Sequence, residues 1–133
     1  MKASVLDQAE LLYRHVHPTF IEAGEPSSAA FRPTSKDDGK LSVDRSSIST
    51  AEESFKLHVN GKKLQAAGTY GLLVSEFSSV EVSCFPDPLS QSDEQPANPA
   101  HAYGDFSHLN SGKQKVAAKK LKRQAIGRGC LHP

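Results

Sequence analysis

The chain of 133 residues contains no apolar run near the roughly 20 residues that a membrane-spanning helix needs. Its first fourteen residues lack a continuous apolar core and include Asp7 and Glu10, which is not the pattern of a secretory signal. The two cysteines, Cys84 and Cys130, stand far apart and form no close-spaced metal pair. These absences predict a cytoplasmic protein with free thiols and no membrane partner.

Several diagnostic motifs are also missing from the sequence. It has no G-x-G-x-x-G and no G-x-x-x-x-G-K-[ST], so classical dinucleotide and P-loop binding are not expected. It has neither H-E-x-x-H nor paired C-x-x-C, the spacings that identify common zinc sites. We therefore expect no cofactor.

Acidic residues are absent from the C-terminal part of the chain. Residues 106–133 hold seven Lys or Arg and no Asp or Glu, whereas residues 1–105 hold nine Lys or Arg and all fifteen acids. A basic helix is predicted over 112–127. It either docks on the acidic body of its own domain or contacts a nucleic acid or an acidic partner. The contact residues would be Lys119, Lys120, Lys122 and Arg123. Because the helix lacks interleaved aromatic residues, single-stranded bases are not expected to stack on it.

Periodicity and turn residues predict the elements. A strand is predicted at about 11–17, a helix at about 50–60, strands over 68–77, 80–85 and 100–106, and a second helix capped by Ser111. In the first helix Ser49 and Glu52 form the expected capping box. Residues 22–40 and 86–99 are predicted as long loops, and residues 1–10 as an N-terminal arm. This order predicts one domain over 1–133 with an α+β fold: a small, mostly antiparallel sheet, two principal helices and long polar loops.

Three histidines define a candidate site. His15 and His17 are two residues apart, so a strand would project both from one face, and His101 begins the last predicted strand. Imidazoles exchange protons near neutral pH, which acid–base catalysis requires. Arg32 and Arg45 could hold a phosphate, together with the loop residues Ser27 and Ser28. This hypothesis is a histidine-dependent enzyme acting on RNA or a nucleotide, a toxin-like nuclease or transferase.

Two other interpretations remain open. In the first, the histidines brace the long loops, and the protein is an interaction module such as an antitoxin, an immunity protein or a complex subunit. Its protein partner would contact the 24–40 loop and the basic helix. In the second, weaker one, His15, His17 and His101 bind a metal ion. Three rings that lie far apart, or that are each locked onto main-chain carbonyls beneath the surface, would remove the catalytic hypothesis.

Overall fold

Short strands and one long helix dominate the computed structural model, which describes residues 5–34 and 37–133. The strands are β1 (Leu11–Val16), β2 (Ile21–Glu22), β3 (Glu25–Pro26), β4 (Lys40–Arg45), β5 (Gly68–Leu73), β6 (Ser83–Pro86), β7 (His101–Asp105) and β8 (Cys130–His132). The α-helices are α1 (Ala51–Lys56), α2 (Val74–Ser78) and α3 (Ser111–Arg128). Two 3₁₀ turns, Pro18–Phe20 and Ser28–Phe31, and a π-helical segment, Leu57–Gly61, complete the described elements.

Six strands form the main sheet in the order β6-β7-β4-β1-β5-β8, and each neighbouring pair is antiparallel. Strands β2 and β3 form a separate hairpin. The predicted α+β fold with a mostly antiparallel sheet is confirmed. No helix within residues 5–34 and 37–133 is both long and apolar enough to traverse a bilayer.

The core lies on the face of the sheet that α3 covers. Along β1 the completely buried Leu12 and Val16 point to this face, and period-two alternation turns Tyr13 and His15 to the other. Helix α3 buries Ala117, Ala118, Leu121 and Ala125. The largest fully buried side chains are Phe31, Phe77, Phe106, Leu12, Leu41, Leu72 and Leu121. Burying each contributes about 1.5–3 kcal/mol, so this apolar face stabilises the fold.

The two central strands separate partway along the sheet. The pairs between β1 and β4 are Leu12↔Arg45 and Tyr13↔Asp44, whereas β1 pairs with β5 along its whole length. Strand β4 continues beside β7 instead, from Asp44 back to Lys40. A wedge therefore opens between β1 and β4 beyond Tyr13. It positions the candidate site.

The loop predicted over 22–40 is partly structured. It contains the β2–β3 hairpin and the second 3₁₀ turn, where Ala30 and Phe31 are completely buried. Ser35 and Lys36 lie outside the described residues. The loop predicted over 86–99 begins one residue later, because Pro86 ends β6, and a bridge between Leu89 and Asn98 closes it. Of the predicted arm, residues 5–10 are described, and Leu6 is buried with its N–H donating to the Cys84 carbonyl.

Several predicted boundaries are wrong. The strand predicted over 80–85 begins only at Ser83. The strand predicted over 68–77 ends at Leu73, because the Glu76 carboxylate accepts the Leu73 N–H and α2 begins at Val74. Helix α1 is capped by Thr50 rather than Ser49. Helix α3 is capped by Asn110 rather than Ser111, although its extent agrees with the predicted basic helix at 112–127.

Candidate functional site

The wedge between β1 and β4 contains two adjoining hollows that we call the histidine cleft. Both are lined by Arg14, His15 and His58. The larger, of about 490 Å³, is also lined by His17, Phe20, Asp37, Lys63, Leu64 and Gln65. The smaller, of about 50 Å³, is also lined by Ser42, Val43, Asp44, Lys62 and His101. The larger volume falls within the range of small-molecule sites.

His15 lies at the base of the cleft with both ring nitrogens engaged. Nδ1 is 2.7 Å from Thr69 Oγ1 and Nε2 is 2.8 Å from Ser54 Oγ. Ser54 donates its only hydroxyl proton to Asp44 Oδ2 at 2.5 Å, so it must accept from His15 and Nε2 carries a proton. Thr69 and Ser54 are buried. His15 therefore joins α1 to β4 and β5, and proton transfer to a ligand would break one of these bonds.

Asp44 is the buried carboxylate of this network. Its Oδ1 accepts a hydrogen bond of 2.9 Å from Asn98 Nδ2, and Oδ2 lies 3.6 Å from His15 Nε2. Burial by itself would raise the pKa of Asp44. The nearby His15 ring and the hydrogen bonds from Ser54 and Asn98 outweigh that effect and hold the pKa at about 2. Asp44 is therefore a charged anchor at neutral pH.

His58 is a cleft histidine that the sequence analysis missed. It lies in the π-helical segment Leu57–Gly61, and its ring is 4.6 Å from that of His15 between centroids. Burial, together with the neighbouring His15, Lys62 and Arg14, lowers the pKa of His58 to about 4, although a hydrogen bond with the Gln65 backbone opposes the shift. At neutral pH it therefore presents an uncharged imidazole to the cleft. π-Helical segments are frequent at functional sites, but the sequence pattern around His58 predicts only an ordinary helix.

Arg14 spans the wedge. Its Nε donates to the Ala30 carbonyl at 2.8 Å and its Nη1 to the Ser42 carbonyl on β4 at 3.1 Å. Burial lowers the pKa of Arg14 to about 10, against the opposing charge of Asp37, so the side chain stays cationic at neutral pH. Within residues 5–34 and 37–133 no carboxylate forms an ion pair with it. Strict strand alternation places Arg14 on the face opposite His15, yet the separation of β4 brings both into the cleft.

His17 and His101 lie at different ends of the cleft. His17 lines the larger hollow, where its Nδ1 accepts the Thr19 N–H at 3.1 Å and Nε2 is left as the proton-bearing nitrogen of the neutral ring. His101 lines the smaller hollow, and its Nδ1 contacts the Asp87 carbonyl at 3.0 Å and the Asp87 carboxylate at 3.2 Å. The three predicted catalytic histidines therefore share no single hollow.

The predicted phosphate-binding residues are dispersed. Ser27 and Ser28 form the start of the second 3₁₀ turn, and Ser27 N–H donates to the Phe20 carbonyl. Arg32 lines a separate hollow. Arg45 is engaged with Glu10, with Nε and Nη2 each 3.1 Å from a carboxylate oxygen, and it does not line the cleft. Burial would raise the pKa of Glu10, but Arg45 and Ser47 lower it overall. Of the four, Arg32 is therefore the cation that remains in a hollow.

The basic helix presents its charges to solvent. Lys119, Lys120 and Arg123 are exposed and Lys122 is half-buried. Among the residues that the structure describes, the ion pair of α3 with the body is Arg128 with Glu76, at 2.9 Å. The inner face of this helix packs against the body through its buried alanines and Leu121.

Thiol and metal chemistry find little support in the geometry. Cys84 and Cys130 are both free, and burial raises the pKa of the Cys84 thiol to about 12. Across residues 5–34 and 37–133, no three His, Cys, Asp or Glu side chains are grouped to hold a metal ion. The described residues therefore provide no grouped set of ligands for the hypothesis that His15, His17 and His101 bind a metal ion.

Comparison with known proteins identifies no relative: no protein-family model, no curated protein and no solved structure matches this chain.

Proposed function

We propose that the protein binds a phosphate-bearing ligand, a nucleotide or a segment of RNA, in the histidine cleft. The observation that carries this proposal is Arg14, a half-buried guanidinium that no described carboxylate approaches within ion-pair distance, although the charge of Asp37 acts on it from farther away. A charge withdrawn from water without a paired carboxylate is costly, and a bound anion would offset that cost. The planar fork of Arg also matches the oxygens of a phosphate.

The surroundings of Arg14 support an anionic ligand. Lys62 and Lys63 line the two hollows, and His17 offers a ring N–H in the larger one. Asp44 is already bonded by Ser54 and Asn98, so its charge is largely satisfied. Asp37 is the remaining carboxylate at the rim of the larger hollow, and it accepts from the Thr34 N–H at 2.8 Å. Cations thus outnumber free anions around the opening.

Binding is favoured over the histidine-dependent nuclease or transferase. His15 would have to give up a buried hydrogen bond to exchange a proton with a ligand. His17 and His101 line different hollows, so they do not face one reacting group together. The imidazoles therefore serve as hydrogen-bonding groups and as the floor of the site.

The test is a calorimetric titration with inorganic phosphate and with uridine 5′-monophosphate. We expect Arg14→Gln to weaken both affinities by at least about tenfold, since a charge-assisted hydrogen bond contributes about 1.5–3 kcal/mol. Lys63→Ala, at an exposed position, should weaken them less and leave folding intact. Lys115→Ala on α3 is the matched control and should change neither affinity. A folded Arg14→Gln variant that binds as tightly as the parent would refute the proposal, as would a parent protein that binds neither ligand.

A second candidate function is an interaction module that contacts an acidic protein partner through α3. It is favoured by the exposed Lys113, Lys115, Lys119 and Lys120, beside which Val116 keeps 53% of its surface exposed. Leu109 and Val80 flank Val116 in a shallow groove of about 200 Å³. Converting Lys119, Lys120 and Lys122 to Glu should weaken capture of such a partner and flatten its salt dependence. Affinity that is unchanged across a salt series would argue against this surface.

The two free cysteines bear on the cellular compartment in which the protein acts. Both cysteines are unpaired, and Cys130 is exposed as a free thiol. Exposed free thiols are most compatible with a reducing environment. We therefore propose that the protein acts in the cytoplasm.

A further inference from the structure

Phe20 forms a wall shared by two hollows. It lines the larger hollow of the histidine cleft, which is also lined by Arg14. It also lines a hollow of about 260 Å³, which we call the Arg32 hollow. The Arg32 hollow is lined by Phe20, Ala29, Arg32, Pro33 and Thr34. One aromatic residue therefore belongs to the lining of two cation-bearing hollows.

The backbone around Phe20 is firmly held. Phe20 ends the 3₁₀ turn Pro18–Phe20, and its N–H donates to the His17 carbonyl at 2.9 Å. Its carbonyl accepts the Ser27 N–H at 2.6 Å. The ring is half-buried and packs partly against the hydrophobic core. It is therefore anchored at its base while part of its surface remains accessible to a ligand.

Arg32 is anchored in a similar way. It directly follows the buried Phe31, and the next residue, Pro33, is also buried. The Arg32 side chain is half-buried, and within the described ranges no carboxylate forms an ion pair with it. Arg32 thus shares with Arg14 the feature on which the phosphate proposal depends.

We propose that the ligand is a single-stranded oligonucleotide that crosses Phe20, with one phosphate at Arg14 and the next at Arg32. A single strand alternates anionic phosphates with planar bases, and proteins bind it through cations interleaved with aromatic rings. The order cation, aromatic ring, cation across the two hollows reproduces that alternation. A mononucleotide would fill the cleft alone and leave the Arg32 hollow empty. This inference rests on the proposed phosphate-binding function.

The experiment compares inorganic phosphate, uridine 5′-monophosphate and the dinucleotide pUpU by calorimetry at one salt concentration. The dinucleotide should bind about tenfold more tightly than the mononucleotide, because it adds a second phosphate contact. Arg32→Gln should abolish that advantage while leaving mononucleotide affinity unchanged. Arg32→Lys should restore part of it. Phe20→Leu should weaken both nucleotides by about tenfold without altering phosphate affinity, because stacking on the base is lost.

The two proposals fail in different ways. If Arg14→Gln weakens mononucleotide binding, but pUpU binds no more tightly than the mononucleotide or Arg32→Gln leaves pUpU affinity unchanged, the oligonucleotide proposal is overturned and phosphate binding stands. If Arg14→Gln changes nothing, the proposed function itself fails. Melting temperatures establish that each variant is folded. Should Phe20→Leu lose its fold, the Arg32 variants decide the question, since Arg32 is only half-buried.

Discussion

At the scale of single residues, His15 and His58 show two ways in which a histidine can line a cleft. His15 is saturated by Thr69 and Ser54, and each partner is buried. His58 sits 4.6 Å away in a segment whose surroundings keep its ring neutral. The first residue holds three elements together, whereas the second offers an uncharged surface to a ligand. Residue type alone does not distinguish these roles, because hydrogen-bond partners decide which nitrogen is available.

Replacing His15 should therefore reduce stability far more than replacing His17. His15→Ala leaves the buried Thr69 hydroxyl without its ring partner and the Ser54 hydroxyl with Asp44 alone, which should lower the free energy of unfolding by about 2–4 kcal/mol. His17→Ala removes a turn cap beside solvent and should cost less than about 1 kcal/mol. Urea denaturation of the two variants measures both values. Equal losses would mean that the His15 network does not carry the stability assigned to it.

Asp44 should make the free energy of unfolding depend on pH in the acidic range. Its pKa of about 2 in the fold lies below its ordinary value of 3.8, so the unfolded chain binds more protons in this range. The contribution is fully present above about pH 4 and is lost as the pH falls towards 2; it amounts to about 2 kcal/mol. Asp44→Asn should be less stable at pH 7 and lack this portion of the acid dependence. Parallel denaturation curves for parent and variant from pH 5 to pH 2 would contradict the assignment.

At the scale of elements, the start of α1 shows what a sequence pattern leaves undecided. Ser49 and Thr50 are adjacent, and each is followed three residues later by a glutamate, so either could form a capping box. In the structure the Thr50 hydroxyl accepts the Glu53 N–H and the Glu53 carboxylate accepts the Thr50 N–H, both at 3.1 Å. The cap fixes where α1 begins, and the π-helical segment that carries His58 continues directly from it.

Replacing Thr50 and Ser49 with alanine, one at a time, shows which hydroxyl caps α1. Thr50→Ala should lower the free energy of unfolding by about 1 kcal/mol, because an orphan N–H of the first turn loses its acceptor. Ser49→Ala is the matched control, and a change of less than about 0.5 kcal/mol is expected, since its hydroxyl makes only a 3.2 Å contact with the Thr50 carbonyl. A larger effect from Ser49→Ala than from Thr50→Ala would place the cap where the sequence pattern first suggested.

The strands and helices also decide how much of the site could be predicted from the sequence. His15 lies on β1 and His101 begins β7 as expected, whereas β1 ends at Val16 and His17 caps the 3₁₀ turn that follows. Arg14 could not be assigned to the cleft, because its position depends on where β4 leaves β1, and that is a tertiary event. His58 could not be assigned either, since the widened turns of a π-helical segment depend on packing rather than on local pattern.

At the scale of the whole molecule, the basic and acidic parts of the chain meet at an apolar contact. The acidic first part and the basic last part pack through α3, whose inner face is built from Ala117, Ala118, Leu121 and Ala125. Of the basic residues on this helix, Arg128 reaches a carboxylate among the described residues, and it also donates to the Gly71 carbonyl at 2.8 Å. The remaining charges face solvent and leave the outer surface of α3 strongly positive.

The free energy of unfolding should consequently depend on the apolar side chains of α3 and not on the lysines on its outer side. Leu121→Ala removes a side chain that is 1% exposed and should lower the free energy of unfolding by about 2–5 kcal/mol. Replacing Lys119 and Lys120 together with Gln should change it by less than about 1 kcal/mol, with no added dependence on salt. Denaturation at low and high ionic strength measures both. A salt-sensitive loss in the lysine variant would mean that long-range attraction to the acidic part docks the helix, and the outer face would then no longer be free for a partner.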